Sequence, residues 1–529
     1  MNVAMGVYDN PQDQKQPIFF IDHFKRNVAI FGGPMTGKTT FVKTFLVRMH
    51  DNPDMCPKED VYIIDFGNNL GEYGQLKNVC ACFGSSSEED IKRIFRTIET
   101  RMEANAKQLG SSSYYTLVDT EPQKCPNHIT LIIENLNAFL TDERYSNYQD
   151  RLLGFCRDGL AKGLSVILTA NDLSGTSRIV SNCGQKIAFE MPADSYMEVF
   201  GCKVAMPMSA KGRGVATVID DSGRSGIYEF QCFLPFENET KGLRLLNKKY
   251  ENVVNPNLMS SFSEELTEAN FNQFCKGDLS VLSDKNNLCV GLDYYEHFPM
   301  CVNIKESPSI AIYGKRKFGK TNLLFKMLRD IKTKNAGVRI IYLDDGRQQL
   351  TGFYDEDQKS GIDSLYFKDV TSLRSYLVSN GYGGIPRDSA GGIDRNASSA
   401  SESNTPFTVF VLQGKMLFQG SVDAKYLMAQ LFPEMIGNAE AKQYLFIYSD
   451  VRNIADADIR TVFNNSISVA FLLDNIGEFV GDKGSKSVFG EMDAKELKAE
   501  YAKCSIGDGY CYDIETDSLK KVKFIKNIK

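Results

Sequence analysis

The chain has 529 residues, of which 42% are hydrophobic and 24% are charged, and its formal net charge is −6. No apolar run approaches the roughly 18 residues that a membrane span needs, and the polar N-terminus does not have the pattern of a signal peptide. Thirteen cysteines without a C-x-x-C pair indicate reduced, mostly buried thiols, and the four histidines form no recognisable cluster. We therefore expect a cytoplasmic globular protein.

The first motif lies between a short apolar run at residues 28–31 and a helical pattern at residues 41–49. Residues 32–39 between them match G-x-x-x-x-G-K-[ST]. Backbone N–H groups can close around a phosphate only where no side chain obstructs them, and a helix N-terminus adds partial positive charge. We predict a phosphate-binding loop for ATP, in which Lys38 reaches the β- and γ-phosphates and Thr39 holds Mg²⁺. The predicted nucleotide-binding residues are Gly32, Gly33, Pro34, Met35, Thr36, Gly37, Lys38, Thr39 and Thr40.

Hydrolysis also needs a carboxylate for the Mg²⁺ shell and usually a second acid that orients the attacking water. A later strand-like run ends with Glu134 followed by Asn135. We predict Glu134 as the metal-shell carboxylate and the two residues together as the catalytic pair. An amide cannot take a proton at neutral pH, so Asn135 can position a water but cannot act as a base. This degenerate Walker B sequence predicts Mg-ATP binding with slow or absent turnover.

A second loop of the same form occupies residues 314–321, again after an apolar run and before a helical pattern. Thr321 is its predicted Mg²⁺ ligand, but the residues aligned with the catalytic pair are Gln413 and Gly414, which supply no negative charge. Asp344 and Asp345 end a different strand and are expected to compensate in part. Positive charge inside the loop favours anion binding without helping cleavage. The predicted nucleotide-binding residues are Gly314, Lys315, Arg316, Lys317, Phe318, Gly319, Lys320, Thr321 and Asn322.

The two loops belong to a duplication with a period of about 280 residues. The same period relates the strand ends at Asp65 and Asp344 and the runs that end at Glu134 and Gln413. Each copy alternates strands with helices and is long enough to bury its own core. We predict an α/β protein with two tandem RecA-like P-loop NTPase domains and mainly parallel sheets. The expected boundaries are 1–236 for the first domain, 237–287 for a linking and packing segment, and 288–529 for the second, degenerate domain.

These residues resemble the FtsK/SpoIIIE-type ATPases, and within them the tandem C-terminal ATPase domains of the EssC/EccC motor of type VII secretion. The resemblance covers most of the chain. Family-like elements lie at residues 6–9, 32–39, 62–67, 163–169 and 211–214 of the first copy and at 290–293, 314–321 and 449–450 of the second. The family's first ATPase domain and its transmembrane segments have no counterpart in this sequence, so we expect a fragment or one chain of a split motor.

The resemblance implies an ATP-binding module that couples nucleotide state to the export of small helical-hairpin proteins. It implies membrane-anchored secretion components or remaining motor domains as partners, a location at the inner face of the membrane, and a homo-oligomer that is hexameric by analogy. One alternative is a DNA-translocating ATPase of the same superfamily, against which the acidic net charge argues. Another is a non-catalytic scaffold that bound ATP stabilises.

Overall fold

The computed structural model of the chain describes residues 2–51, 59–204, 207, 209–219, 224–259, 265–344, 346, 348–382, 406–418, 420–437, 443–451, 454, 456–474 and 504–527. The chain forms two compact units, Met1–Ser261 and Phe262–Lys529. Among the described residues, no helix is both long and apolar enough to cross a membrane.

The described strands of the first unit form one ten-stranded sheet. They are β1 Val3–Tyr8, β2 Ile18–Ile21, β3 Val28–Phe31, β4 Glu59–Asp65, β5 Val79–Gly84, β6 His128–Glu134, β7 Leu164–Ala170, β8 Gln185–Ala188, β9 Arg213–Ile219 and β10 Ser225–Cys232. The order across the sheet is β2-β1-β10-β9-β8-β3-β7-β6-β4-β5. The six strands from β8 to β5 run parallel, and the remaining pairs are antiparallel. The carboxyl ends of β3, β7, β6 and β4 therefore meet at one edge.

Helices cover both faces of this sheet. They are α1 Lys38–His50, α2 Glu88–Leu109, α3 Tyr114–Thr120, α4 Leu136–Thr141, α5 Tyr148–Asp158, α6 Ser177–Val180, α7 Ala193–Phe200 and α8 Glu239–Lys249. Successive residues of a strand point to opposite faces. Val28 and Ile30 accordingly pack in one apolar core, and Ala29 and Phe31 pack in the other. Because both faces are buried, the parallel strands contain apolar runs, such as Val28–Phe31 in β3 and Leu131–Ile133 in β6.

The second unit repeats this plan. Its strands are β11 Asn287–Asp293, β12 Pro299–Asn303, β13 Ser309–Gly314, β14 Arg339–Leu343, β15 Asp363–Phe367, β16 Thr408–Gln413, β17 Tyr444–Val451, β18 Val469–Leu473, β19 Asp508–Asp513 and β20 Ser518–Phe524. Their order, β12-β11-β20-β19-β18-β13-β17-β16-β14-β15, is the order of the first sheet strand for strand. The duplication inferred from spacing is therefore also a duplication of topology.

The helices of the second unit are α9 Phe271–Phe274, α10 Lys320–Lys334, α11 Thr351–Lys359, α12 Val370–Ser379, α13 Gly414–Leu417, α14 Val422–Tyr426, α15 Phe432–Gly437 and α16 Ala457–Ser466. The π-helical segment Leu427–Leu431 joins α14 to α15. Two large apolar cores again flank the sheet, with Ile310 and Ile312 in one and Ala311 and Tyr313 in the other.

The segment 237–287 is divided between the two units. Leu243 and Leu246 of α8 lie in a core of the first unit, and the Met259 N–H donates to the Cys80 carbonyl at 2.7 Å. Phe271 and Phe274 pack with Leu292 in a small core of the second unit. The domain boundaries given above remain predictions, but this segment contributes apolar side chains to both units.

Candidate nucleotide-binding sites

The loop of residues 32–37 joins β3 to α1. Gly32 has φ 153° and Gly37 has φ 119°, backbone conformations that favour glycine. A Cβ on Gly32 would lie 2.6 Å from Thr36 Oγ1, a separation that real Cβ atoms do not show. The Thr36 hydroxyl in turn donates to the Gly33 carbonyl at 2.9 Å. The close approach of the chain to itself thus explains the glycine at position 32.

The other predicted residues of this loop lie at its outer side or begin α1. Pro34 and Thr40 are exposed, and Met35 is fully exposed with φ 62°. Lys38 begins α1, and its ammonium group donates to the carbonyls of Gly32 at 2.5 Å and Gly33 at 2.8 Å. The ammonium group therefore lies against the loop, as a phosphate-binding lysine requires.

Glu134 ends β6 and is 4% exposed. One carboxylate oxygen accepts a hydrogen bond from Thr39 Oγ1 at 2.6 Å, and the other accepts from Thr169 Oγ1 at 2.6 Å. Strand β7, which carries Thr169, lies between β3 and β6 in the sheet. The structure thus brings the hydroxyl of the first helix and the carboxylate of a more distant strand into direct contact.

Asn135 follows Glu134 with φ 66° and caps α4, because its Oδ1 accepts from the Ala138 N–H at 3.3 Å. Its own N–H donates to Thr169 Oγ1 at 2.9 Å. Asn and Asp are the residues that best tolerate this left-handed conformation after glycine. The side chain at this position therefore stabilises a helix start, in addition to being chemically unable to act as a base.

The residues of the first site fit ATP and Mg²⁺. Helix α1 has no acidic residue in its first turn and no side-chain cap, so its N–H groups and partial positive charge are available to an anion. In contrast, α2 begins with Glu88, Glu89 and Asp90. Burial lowers the pKa of Lys38, and the nearby Glu134 carboxylate acts in the opposite direction. Oxygen atoms of the kind that Mg²⁺ prefers are supplied by Thr39 and Glu134.

The second loop, between β13 and α10, has the same backbone form. Gly314 has φ 147° and Gly319 has φ 107°, and the Lys320 ammonium donates to the carbonyls of Gly314 at 2.6 Å and Lys315 at 2.8 Å. Helix α10 also lacks acidic residues in its first turn. Lys315 lies 3.5 Å from the buried Asp474, so part of the loop's positive charge already has a protein partner.

The remaining predicted residues of the second loop differ in exposure. Arg316 and Lys317 are exposed, Phe318 is half-buried, and Lys317 has φ 74°. Thr321 is exposed at the start of α10. The Asn322 side chain is bonded within the protein, because it donates to the Ile525 carbonyl at 2.8 Å and accepts from the Asn527 N–H at 3.0 Å. Only the backbone of Asn322 is therefore available to a nucleotide.

The acidic centre of the first site becomes neutral in the second. Gln413 pairs with Ser449 across β16 and β17, and its buried Oε1 has no hydrogen-bond partner among the described residues. Asp344, expected to compensate, is fully buried and accepts backbone N–H groups from Gln348 at 3.1 Å and Leu350 at 2.8 Å. Its carboxylate stabilises the turn after β14. Asp345 lies outside the described residues.

Sequence reasoning missed Thr169, which holds Glu134 and receives the Asn135 N–H. A signal for it existed, since equivalent strands carry a hydroxyl near their ends in both copies, as Thr169 and as Ser449. Position on the strand alone did not show which neighbour the hydroxyl contacts. The sheet register supplies that information.

Two histidines that are far apart in the sequence meet at a buried glutamate. His23 Nε2 lies 3.3 Å from one oxygen of Glu59, His128 Nδ1 lies 2.9 Å from the other, and Thr130 also donates to Glu59. His23, Glu59 and His128 are side chains of the kinds that bind metals, and their ligand atoms lie within 4.8 Å of one another. Hydrogen bonds between the two imidazole rings and Glu59 account for the same geometry without a metal. Burial lowers the pKa of His128, in agreement with a neutral ring.

The fold and the loops together define a class, a tandem P-loop ATPase in which Glu134 ends one strand of the first unit and Gln413 ends the equivalent strand of the second. No protein-family model matches the chain. It is 25% identical to the ESX secretion system protein EccC of Geobacillus thermodenitrificans over 386 residues. The aligned region covers 68% of this chain and 24% of that protein. It is 23% identical over 401 residues to the type VII secretion system protein EssC of Staphylococcus aureus, covering 71% of this chain and 26% of that protein. The chain thus spans about a quarter of the length of these curated relatives.

Solved structures agree with the sequence comparison. EssC ATPases 2 and 3 from Geobacillus thermodenitrificans superpose with a TM-score of 0.71 at 19% identity, over 99% of this chain and 96% of that one. A Thermomonospora curvata EccC structure of ATPases 2 and 3, in complex with a signal sequence peptide, gives a TM-score of 0.62 at 18% identity, over 100% and 93%. The predicted tandem P-loop fold and the resemblance to EssC and EccC are therefore confirmed.

Proposed function

We propose that this chain is the ATP- and Mg²⁺-binding module of a type VII secretion motor, which couples its nucleotide state to the recognition and export of small helical proteins. The observation that carries the proposal is the repeated loop geometry, in which Lys38 and Lys320 lie against equivalent carbonyls at the starts of helices that lack acidic residues. Similarity to the EssC and EccC ATPases supplies the biological context.

The two sites differ in what they offer to Mg²⁺. In the first, Thr39 and Glu134 present adjacent oxygens at the end of β6. In the second, Gln413 replaces the carboxylate, so the metal loses a charged ligand. Asn135 in the first site has an amide in place of the carboxylate that would take a proton from an attacking water. We infer slow turnover at the first site, none at the second, and ATP binding at both.

The proposed partners follow from the relatives. The Thermomonospora curvata EccC structure contains a signal sequence peptide, and we propose that exported helical-hairpin proteins bind this chain through a comparable segment. Membrane-anchored secretion components, or further motor domains, would hold the chain at the inner face of the membrane. A hexamer is the assembly expected by analogy.

Calorimetric titration of ATP tests the proposal, with and without Mg²⁺. We expect two sites, of which Lys38→Ala abolishes one and Lys320→Ala abolishes the other. Lys25→Ala is the matched control, because Lys25 is a surface lysine paired with Asp119 at 2.6 Å. Removal of Mg²⁺ should weaken the first site more than the second, since only the first has a carboxylate at the metal position.

Phosphate release at saturating ATP should stay below about 1 s⁻¹, the lower end of ordinary enzyme turnover. Fast release would contradict the inference drawn from Asn135. Absence of heat at both sites would refute the nucleotide-binding proposal itself. Salt-dependent retention of the chain on duplex DNA would instead favour the DNA-translocating alternative.

A further inference from the structure

Two cysteines face each other in the edge hairpin of the second sheet. Cys289 on β11 and Cys301 on β12 are direct partners in the antiparallel register, and β12 is the outermost strand. Directly opposed residues of an antiparallel pair have Cα atoms about 4.5 to 5.5 Å apart, which lies inside the range of disulfide bonds. The backbone register is therefore compatible with a disulfide bond between the two cysteines.

The two thiols have different surroundings. Cys289 is buried, and its Sγ lies 3.7 Å from the Gly291 carbonyl oxygen, whereas Cys301 is half-buried. A hydrogen bond from Cys289 lowers the pKa of Cys301, and Lys334 and Lys326 act in the same direction, whereas burial and Asp330 oppose the shift. Lys334 is held near β11 by the Asn287 carbonyl at 2.7 Å. Of the two thiols, Cys301 has the lower pKa and Cys289 the higher one.

Cys301 lies in the outermost strand of the second sheet. It lines an open cavity of about 410 Å³ on the second unit, together with Met300, Asp513 and Lys520. Buried Cys511 also lines this cavity. Peroxide is small enough to enter such a space, and a thiolate is the reactive form of a cysteine. Peroxide that enters this cavity therefore comes beside the hairpin that carries Cys301.

The first unit shows that the hairpin does not need these thiols. In the equivalent hairpin, Ala4 of β1 faces Phe20 of β2, and the register shifts just before Gly6, as it does just before Gly291 in the second unit. The same backbone thus forms with an alanine and an aromatic residue in place of the cysteine pair. A purely structural requirement of the fold does not explain two cysteines at this position.

We propose that Cys289 and Cys301 form a reversible thiol–disulfide site whose oxidant is hydrogen peroxide. The Cys301 thiolate attacks one peroxide oxygen, the O–O bond breaks, and a sulfenic acid and water result once a proton is taken up. The Cys289 sulfur then attacks the Cys301 sulfur and releases a second water. Two thiols and one peroxide become one disulfide and two waters, and a reducing dithiol reverses the change. The disulfide would link the edge strand β12 covalently to β11.

The sequence provides a direct assay with an internal control. Trypsin cleaves after Lys285 and Lys305, so one peptide contains both cysteines of the site. Cleavage after Lys77 and Lys92 gives a second peptide with Cys80 and Cys82, which lie on one strand and whose pKa values burial raises to about 12. The reduced full chain is treated with equimolar peroxide, unfolded in N-ethylmaleimide, digested without reductant and analysed by mass spectrometry.

We expect the 286–305 peptide to become a form that carries no N-ethylmaleimide and has two hydrogens fewer than the dithiol. This form should appear at least tenfold faster than the corresponding form of the 78–92 peptide, and dithiothreitol should restore both thiols. Cys289→Ala, which places the first unit's residue in the hairpin, should leave a Cys301 sulfenic acid that dimedone traps. Equal labelling of the two peptides would overturn the proposal. A bond from Cys301 to Cys511, the other cysteine of the cavity, would overturn it as well.

Discussion

The buried histidine at the end of α1 should make the first unit sensitive to acid. His50 is fully buried and packs edge-on against Tyr250, with ring centroids 4.7 Å apart. Burial lowers the pKa of His50 to about 4, although a hydrogen bond with Asn78 opposes the shift. The unfolded chain, with a histidine pKa near 6.5, therefore binds more protons than the folded chain below that pH.

The sign and size follow from proton linkage. Because the folded pKa lies below the unfolded value, the stability contributed by neutral His50 is intact above about pH 6.5 and is lost as the pH falls. With a pKa of about 4 in the folded state and 6.5 in the unfolded state, the free energy of unfolding falls by about 2 kcal/mol at pH 5. It levels off below about pH 4, where both states are protonated.

The perturbation is His50→Gln, which removes the titrating group while keeping a polar side chain of similar length. The chain contains no tryptophan, so Phe83→Trp, at a partly buried position of one core of the first unit, supplies a fluorescence probe in both proteins. Urea unfolding is measured at pH 7.5 and pH 5. Between pH 7.5 and pH 5, we expect the free energy of unfolding to fall by about 2 kcal/mol more for the protein with His50 than for the variant.

The contributions of other titrating groups cancel when the pH-dependent stability changes of the two proteins are compared. His128 and Glu59 both have lowered pKa values and also lose stability in acid, but they are present in both proteins. The comparison uses the change with pH, so a constant destabilisation by the substitution does not affect it. Parallel stability curves for the two proteins would refute the assignment of acid sensitivity to His50.

Two further predictions concern the site and the sheet. Thr169→Val removes the hydroxyl that holds Glu134, and it should weaken Mg²⁺-dependent ATP binding at the first site about tenfold. Calorimetry measures this change. Ser449→Ala, at the equivalent position of the second unit, should leave the first site unchanged. Gly6→Ala should destabilise the first unit by about 3 kcal/mol in urea unfolding, because its Cβ would lie 2.1 Å from the Gln231 carbonyl oxygen. Gly71→Ala, which meets nothing within 4 Å, is its control and should change stability by less than about 0.5 kcal/mol.

The sequence by itself determined the two phosphate loops, their place between a strand and a helix, and the duplication. These features are local or periodic, since a glycine-rich loop, an apolar run and a helical pattern are each written in consecutive residues. The replacement of Glu134 by Gln413 was also legible, because the aligned copies reveal a changed residue type, and Asn135 was recognised as an amide that cannot act as a base.

Only the tertiary structure decided which distant side chains meet. Thr39 and Thr169 both reach Glu134, because the strand order and register place them together. Likewise, Asn322 was assigned to the nucleotide from its position in the loop motif, but in the folded unit its side chain is bonded to the C-terminal segment. Register shifts by one residue would move every side chain of a strand to the opposite face, and a linear sequence does not state the register between strands that lie far apart in the chain.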